Sequence, residues 1–114
     1  MTFNDYQETI KKFDLFPDQT GILTNPSFVT KILGLSGETG EVCEKFKKIY
    51  RDKNGQISEE DKTEIAKELG DVLWYVATIS RYLEIPFENI AAQNIKKLTA
   101  RLKNNKLHGS GDNR

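Results

Sequence analysis

The stretch EIAKELGDVLWYV, residues 64–76, is where the chain declares a fold. At roughly 100° per residue, Ile65, Leu69, Val72, Val76, Ile79 and Leu83 gather on one face of a helix. Strand-like alternation is absent along the chain, and helical spacing dominates. Glu68 falls about 60° from the centre of the apolar face and Asp71 about 120°, with Tyr75 between them. The acids border the stripe and do not oppose it. Trp74 lies on the far side with Ala66, Gly70 and Ala77, so this helix is expected to be covered on both sides. A chain of 114 residues has few helices to do that covering, which points to a homo-oligomer, dimer or tetramer.

Outward from this helix, the breaks are legible. Asn25 followed by Pro26 reads as an N-cap and first helical residue, opening a helix to Tyr50 or Arg51 that RDKNG ends. Ser58 with Asp61 three residues later resembles a capping box for the helix that runs to about Leu83. Pro86 can open a last helix to about Asn104, and a first short helix is expected around Asn4 to Phe13. DLFPDQTGILTNP separates the first two helices. The expected architecture is all-α: a helical bundle of about four helices, completed by homo-oligomerisation. A single domain over 1–114 is expected, with about 1–25 an N-terminal helix and loop and about 105–114 a tail.

Charge narrows the functions. Seventeen basic residues balance seventeen acidic ones, so no overall basic field for nucleic acid exists. Residues 1–95 carry 11 basic and 16 acidic side chains, and residues 96–114 six basic and one acidic. That basic end suits a small anion such as a polyphosphate. Cys43 is the single cysteine, which excludes an internal disulfide and fits a reducing cytoplasm. The longest uncharged run, Gln19 to Thr30, is 12 residues and contains Pro26, too short to span a bilayer. No charged start followed by an apolar block marks a signal peptide, so a cytoplasmic location with no membrane partner is expected.

Within the helix from Pro26, GETGE at residues 37–41 is costly. Glycine in a helix interior is unfavourable by about 1 kcal/mol relative to alanine, and like charges one turn apart repel. Glu38 and Glu41 are three apart, as are Glu68 and Asp71, so each pair projects from one helix face. If the two helices pack antiparallel, four carboxylates converge, and two charges ~5 Å apart repel by roughly 3 kcal/mol at an effective dielectric near 20. Carboxylates without histidine or thiolate favour hard cations, magnesium first and manganese second. Gly37, Gly40 and Gly70 flank the acids, and Gly34, Gly37 and Gly40 recur every three residues, which would let a helix or ligand approach closely. The plainer reading is a solvated face in which Lys45 and Lys48 pair with the acids.

LGLSGETGEVCEKFKK followed by EIAKELGDVLWYV resembles the all-α nucleoside triphosphate pyrophosphohydrolases of the MazG type. Their hallmark is E-x-x-E, a spacer, then E-x-x-D. Glu38, Glu41, Glu68 and Asp71 match it, with 26 residues between the motifs, and the likeness covers about residues 30 to 102. The resemblance implies magnesium, with manganese a possible substitute, held by those four acids. It also implies a nucleoside or deoxynucleoside triphosphate substrate whose α-phosphorus is attacked by water, giving monophosphate and pyrophosphate. Either Glu38 or Glu41 would serve as general base. Tyr75 matches a family tyrosine that helps hold the substrate, and Asn94, Lys97 and Arg101 resemble phosphate or sugar contacts. For those last three, an ordinary solvated basic face is the competing reading. KLHGSGDNR resembles the tails of some small members, leaving open a flap over a site, with Asp112 or Arg114 reaching in, or a frayed end. His108 reads as polar surface, Trp74 as packing and Cys43 as buried filler.

Rival chemistries fail on ligands. Aligning Gly55 with the invariant glycine of a calcium loop puts Tyr50 at the first position and Asp61 at the twelfth, neither of which fits. A di-iron site needs Glu-x-x-His pairs, and the chain holds one histidine, in its tail. The alternative from another class is a non-catalytic oligomeric interaction module, or one that binds nucleotides without cleaving them. A scaffold has no reason to place four acids beside its apolar stripe, which favours the enzyme.

Overall fold

Caps and breakers divide the chain into four α-helices. The computed structural model describes every residue except 18, 19, 21, 105, 109, 110 and 112–114. Helix α1 spans Phe3–Thr9 and continues as a 3-10 turn over Ile10–Phe13; α2 spans Pro26–Lys53, α3 Glu59–Tyr82 and α4 Phe87–Lys103. No strand occurs among the described residues. Asn25 caps α2 by accepting from the Ser27 N–H at 2.9 Å, with Pro26 in the first turn. The helix runs two residues beyond the expected Tyr50 or Arg51 limit, to Lys53; Asn54, in the left-handed conformation, caps it, and Gly55 continues the turn at φ 78°. Ser58 and Asp61 form the expected reciprocal cap of α3. Lys53 donates to Asp61 at 2.7 Å, fastening the end of α2 to the start of α3. With Ser58, it holds the Asp61 carboxyl down to about 2.

The short turn makes α2 and α3 an antiparallel hairpin. Contacts run in order along it: Lys53 with Asp61, Lys45 with Glu68, Phe28 with Tyr82. The packed core lies at the far end from the turn, where α1 and α4 close on the last turns of α3. Ile10, Ala77 and Phe87 are buried together, with Tyr6, Trp74, Val76 and Ile90 against them. Gln7 stitches this junction. Its amide donates to Ser80 Oγ at 2.7 Å, to the Ile85 carbonyl at 3.1 Å and to the Ala77 carbonyl at 3.2 Å. Its carbonyl accepts from the Phe87 N–H at 3.1 Å.

A buried ionic clasp fixes the segment after the 3-10 turn. Asp14, its side chain inaccessible, accepts from Arg81 Nη2 at 2.6 Å and from the Tyr82 hydroxyl, and lies 3.0 Å from Lys31 Nζ. Burial alone would raise its pKa. The hydrogen bonds from Tyr82 and Lys31, the Lys31 charge and the Arg81 bond outweigh burial and leave the carboxyl below its ordinary value.

The apolar stripe expected on α3 is covered only in part. Ile65 is buried, but Leu69 and Leu83 are each 51 % exposed. Trp74 and Ala77, on the side opposite that stripe, are covered by the same chain through α1, the 3-10 turn and α4. Of the described elements, α2 is the main neighbour of α3.

Removing a partner from a buried charge cluster costs about 3–5 kcal/mol. Asp14→Asn is expected to lower unfolding free energy by about that amount in urea titrations near neutral pH. Because the folded-state pKa of Asp14 is depressed, its contribution is present above about 3.9, the unfolded value, and is lost as pH falls through the folded value. The two proteins should therefore converge in acid. A constant difference down to pH 2 would contradict the clasp.

Candidate metal centre

The hairpin register brings together acids far apart in sequence. Glu38 on α2 and Glu68 and Asp71 on α3 each offer a carboxylate oxygen, and the three lie within 4.8 Å of one another. Glu38 and Glu68 are half-buried, whereas Asp71 is exposed. Desolvation, then the charges of Asp71, Glu68 and Glu41, push the Glu38 carboxyl above its ordinary value. Its charged form is disfavoured by burial and by three neighbours of like sign. This donor set is all oxygen and short of positive charge, which fits a hard divalent cation.

Glu41 stands outside the trio. One turn along α2 from Glu38, it is exposed, although its charge contributes to the shift at Glu38. Lys45 Nζ sits 3.2 Å from Glu68 Oε1 and 3.6 Å from Glu64 Oε2. The plainer sequence reading therefore holds at Lys45, while Lys48 reaches Glu44 at 3.7 Å and none of the four acids. Tyr6 on α1 is a further neighbour that the spacing of acids could not reveal. Desolvation, then the field of Asp71, raises its hydroxyl pKa.

Tyr75 follows Asp71 by one turn of α3, with its ring edge-on to Trp74 at 4.8 Å. Across the hairpin it lies over Gly34: a β-carbon there would come within 2.2–2.6 Å of the tyrosine ring and hydroxyl. Of the glycines suspected of permitting close approach, Gly34 does so within the chain. Gly37, Gly40 and Gly70 have nothing within 4 Å of the same position. Cys43, expected to be buried filler, is exposed on α2.

Asn94 and Lys97 of α4 line a shallow depression with Ile90 and Gln93. Arg101 is buried, and its Nη2 donates to the Gly111 carbonyl at 3.2 Å. The solvated basic face considered for this helix therefore does not extend to Arg101, which anchors the tail. Asp112 and Arg114 lie outside the described residues. His108 is exposed, as expected of polar surface.

An antiparallel helical hairpin that gathers three acids near its centre defines the class as an all-α protein with a carboxylate cluster able to hold a metal. The family model of the MazG nucleotide pyrophosphohydrolase domain matches residues 27–105, and the chain belongs to that family. It is 44 % identical over 88 residues to the Gene 37 protein of Mycobacterium phage L5, covering 77 % of this chain and 75 % of that protein. No solved structure matches it. Among the described residues no helix is long and apolar enough to cross a membrane.

The glycines separate in a stability experiment. Gly34→Ala forces the Tyr75 ring to move and is expected to cost about 1–3 kcal/mol, as overpacking does. Gly37→Ala meets no atom and should gain up to about 1 kcal/mol from helix propensity. Urea titrations of both variants check this, and a stabilised Gly34→Ala would contradict the contact with Tyr75.

Proposed function

We propose that the protein is a magnesium-dependent nucleotide pyrophosphohydrolase that converts nucleoside or deoxynucleoside triphosphates to monophosphate and pyrophosphate. The convergence of Glu38, Glu68 and Asp71 within 4.8 Å carries this reading, on top of membership in the family. These three carboxylates would hold the cation, with manganese an acceptable substitute, and Glu41 borders the same surface. A bound divalent cation supplies Lewis acidity at a phosphate oxygen and compensation for the charge of the leaving group. The chain's own residues position the substrate and move the proton. Attack of water on the α-phosphorus breaks the bond to the bridging oxygen, and the attacking water gives up a proton. Glu41, exposed and outside the trio, is the better placed of the two candidate bases to accept it. Gly37 and Gly40, which flank Glu38 and Glu41 in sequence, carry no side chain and have nothing within 4 Å of a β-carbon position, and Tyr75 lies over Gly34.

Self-association belongs to the same proposal. Leu33, Ile95 and Leu102 are each more than 60 % exposed, and Leu69 about half. The radius of gyration, 16.9 Å, exceeds the roughly 13 Å of a compact chain of this length. A homodimer or homotetramer would cover these side chains and draw Asn94 and Lys97 of α4 towards a substrate. Sedimentation equilibrium is expected to give a multiple of 13.0 kDa. A monomer at micromolar concentration would contradict this.

Incubation with a panel of nucleotides and magnesium, followed by chromatography, should yield monophosphate and pyrophosphate. Chelation should abolish the reaction, and Glu38→Gln or Asp71→Asn should slow it by at least about 100-fold with helicity intact. Diphosphate with orthophosphate would refute attack at the α-phosphorus. Nucleotide binding without turnover would favour a non-catalytic module.

A further inference from the structure

Lys45 has a position that the hydrolytic reading does not use. It follows Glu38 by seven residues, two turns along α2, and so projects from the same helix face. Its ammonium is shared between Glu68, a member of the trio at 3.2 Å, and Glu64, a residue outside it at 3.6 Å. The pair is partly exposed, with about 30 % of the Lys45 side chain open to solvent. Ion pairs in that setting are weak and easily exchanged. A divalent cation facing three carboxylates is a far stronger partner for Glu68 than one ammonium, and it repels that ammonium. Glu64, one turn before Glu68 on α3, provides a second anchor for Lys45 on the side away from Glu38 and Asp71.

We infer that Lys45 is a displaceable internal counter-ion: it holds Glu68 while the trio lacks a cation, and moves onto Glu64 when a divalent cation enters. This rests on the trio being the metal centre. Lys45 acts through Glu68 and is therefore a positioning residue. Its effect is to lower cation affinity, because every binding event must first break its pair with Glu68. Replacing it with an uncharged side chain of similar length removes that competition.

Isothermal calorimetry with Mn2+ alone, without nucleotide, tests the inference on the full chain. Lys45→Met is expected to bind Mn2+ roughly three- to tenfold more tightly than the unmodified protein, and Lys45→Arg to stay within about twofold of it. The gain in Lys45→Met should shrink as salt is raised. Unchanged or weaker binding by Lys45→Met, or equal tightening in Lys45→Arg, would overturn the role of Lys45 while leaving the metal centre standing. No binding by the unmodified protein would remove the metal centre and the inference together. A second measurement needs no folded Lys45→Met. The side-chain ammonium resonance of Lys45 in the unmodified protein should shift on adding Mg2+, and an unmoved resonance at saturating Mg2+ would overturn the exchange.

Discussion

Mutual repulsion among Glu38, Glu68 and Asp71 is the constraint around which this molecule is arranged. Three carboxylates within 4.8 Å of one another, two of them half-buried, raise the energy of the hairpin that holds them. The helices are kept in register by contacts on either side. Lys53 and Asp61 fix one end at the turn, and Tyr75 over Gly34 sets the approach of the helices one turn past the acids. The Asp14 clasp secures the other end. The acids are therefore held together by interactions outside the site. A cation held there would gain binding energy from a geometry for which the rest of the fold has already compensated.

Burial is distributed accordingly. Ala77, Thr78, Ser80 and Tyr82 are buried in the last turns of α3, where Gln7, Ile10 and Phe87 close on Ala77, Gln7 bonds Ser80, and Phe28 and Asp14 meet Tyr82. Around the acids, Leu69, Gly70 and Asp71 are exposed. One end of the hairpin gives stability and the middle gives access. The open positions at Gly37, Gly40 and Gly70 belong to the accessible part, as does the half-exposed Leu69. Ligand entry and self-association would then draw on the same sparsely packed half.

What could be read from sequence is what depends on near neighbours. Asn25 with Pro26, Ser58 with Asp61, and the turn at Asn54 and Gly55 act within a few residues, and the helix limits followed from them. The acidic spacing pointed to Glu38, Glu41, Glu68 and Asp71 because i, i+3 pairs share a face whatever surrounds them, and three of these four lie together. Periodicity located an apolar stripe on α3 but could not say what lies against it, so Leu69 and Leu83 proved half-exposed. Cys43 was misjudged for the same reason: exposure is decided by elements distant in sequence. The Gln7 and Asp14 contacts bridge separations of 67 residues and more to reach α3, beyond any local pattern.

Anomalous diffraction from a crystal of the full chain soaked in Mn2+ would show whether Glu38, Glu68 and Asp71 hold a cation. A peak within about 2.2 Å of oxygens from Glu38, Glu68 and Asp71 is the predicted result. Full Mn2+ occupancy elsewhere with none at the trio, and Lys45 still on Glu68, would contradict it.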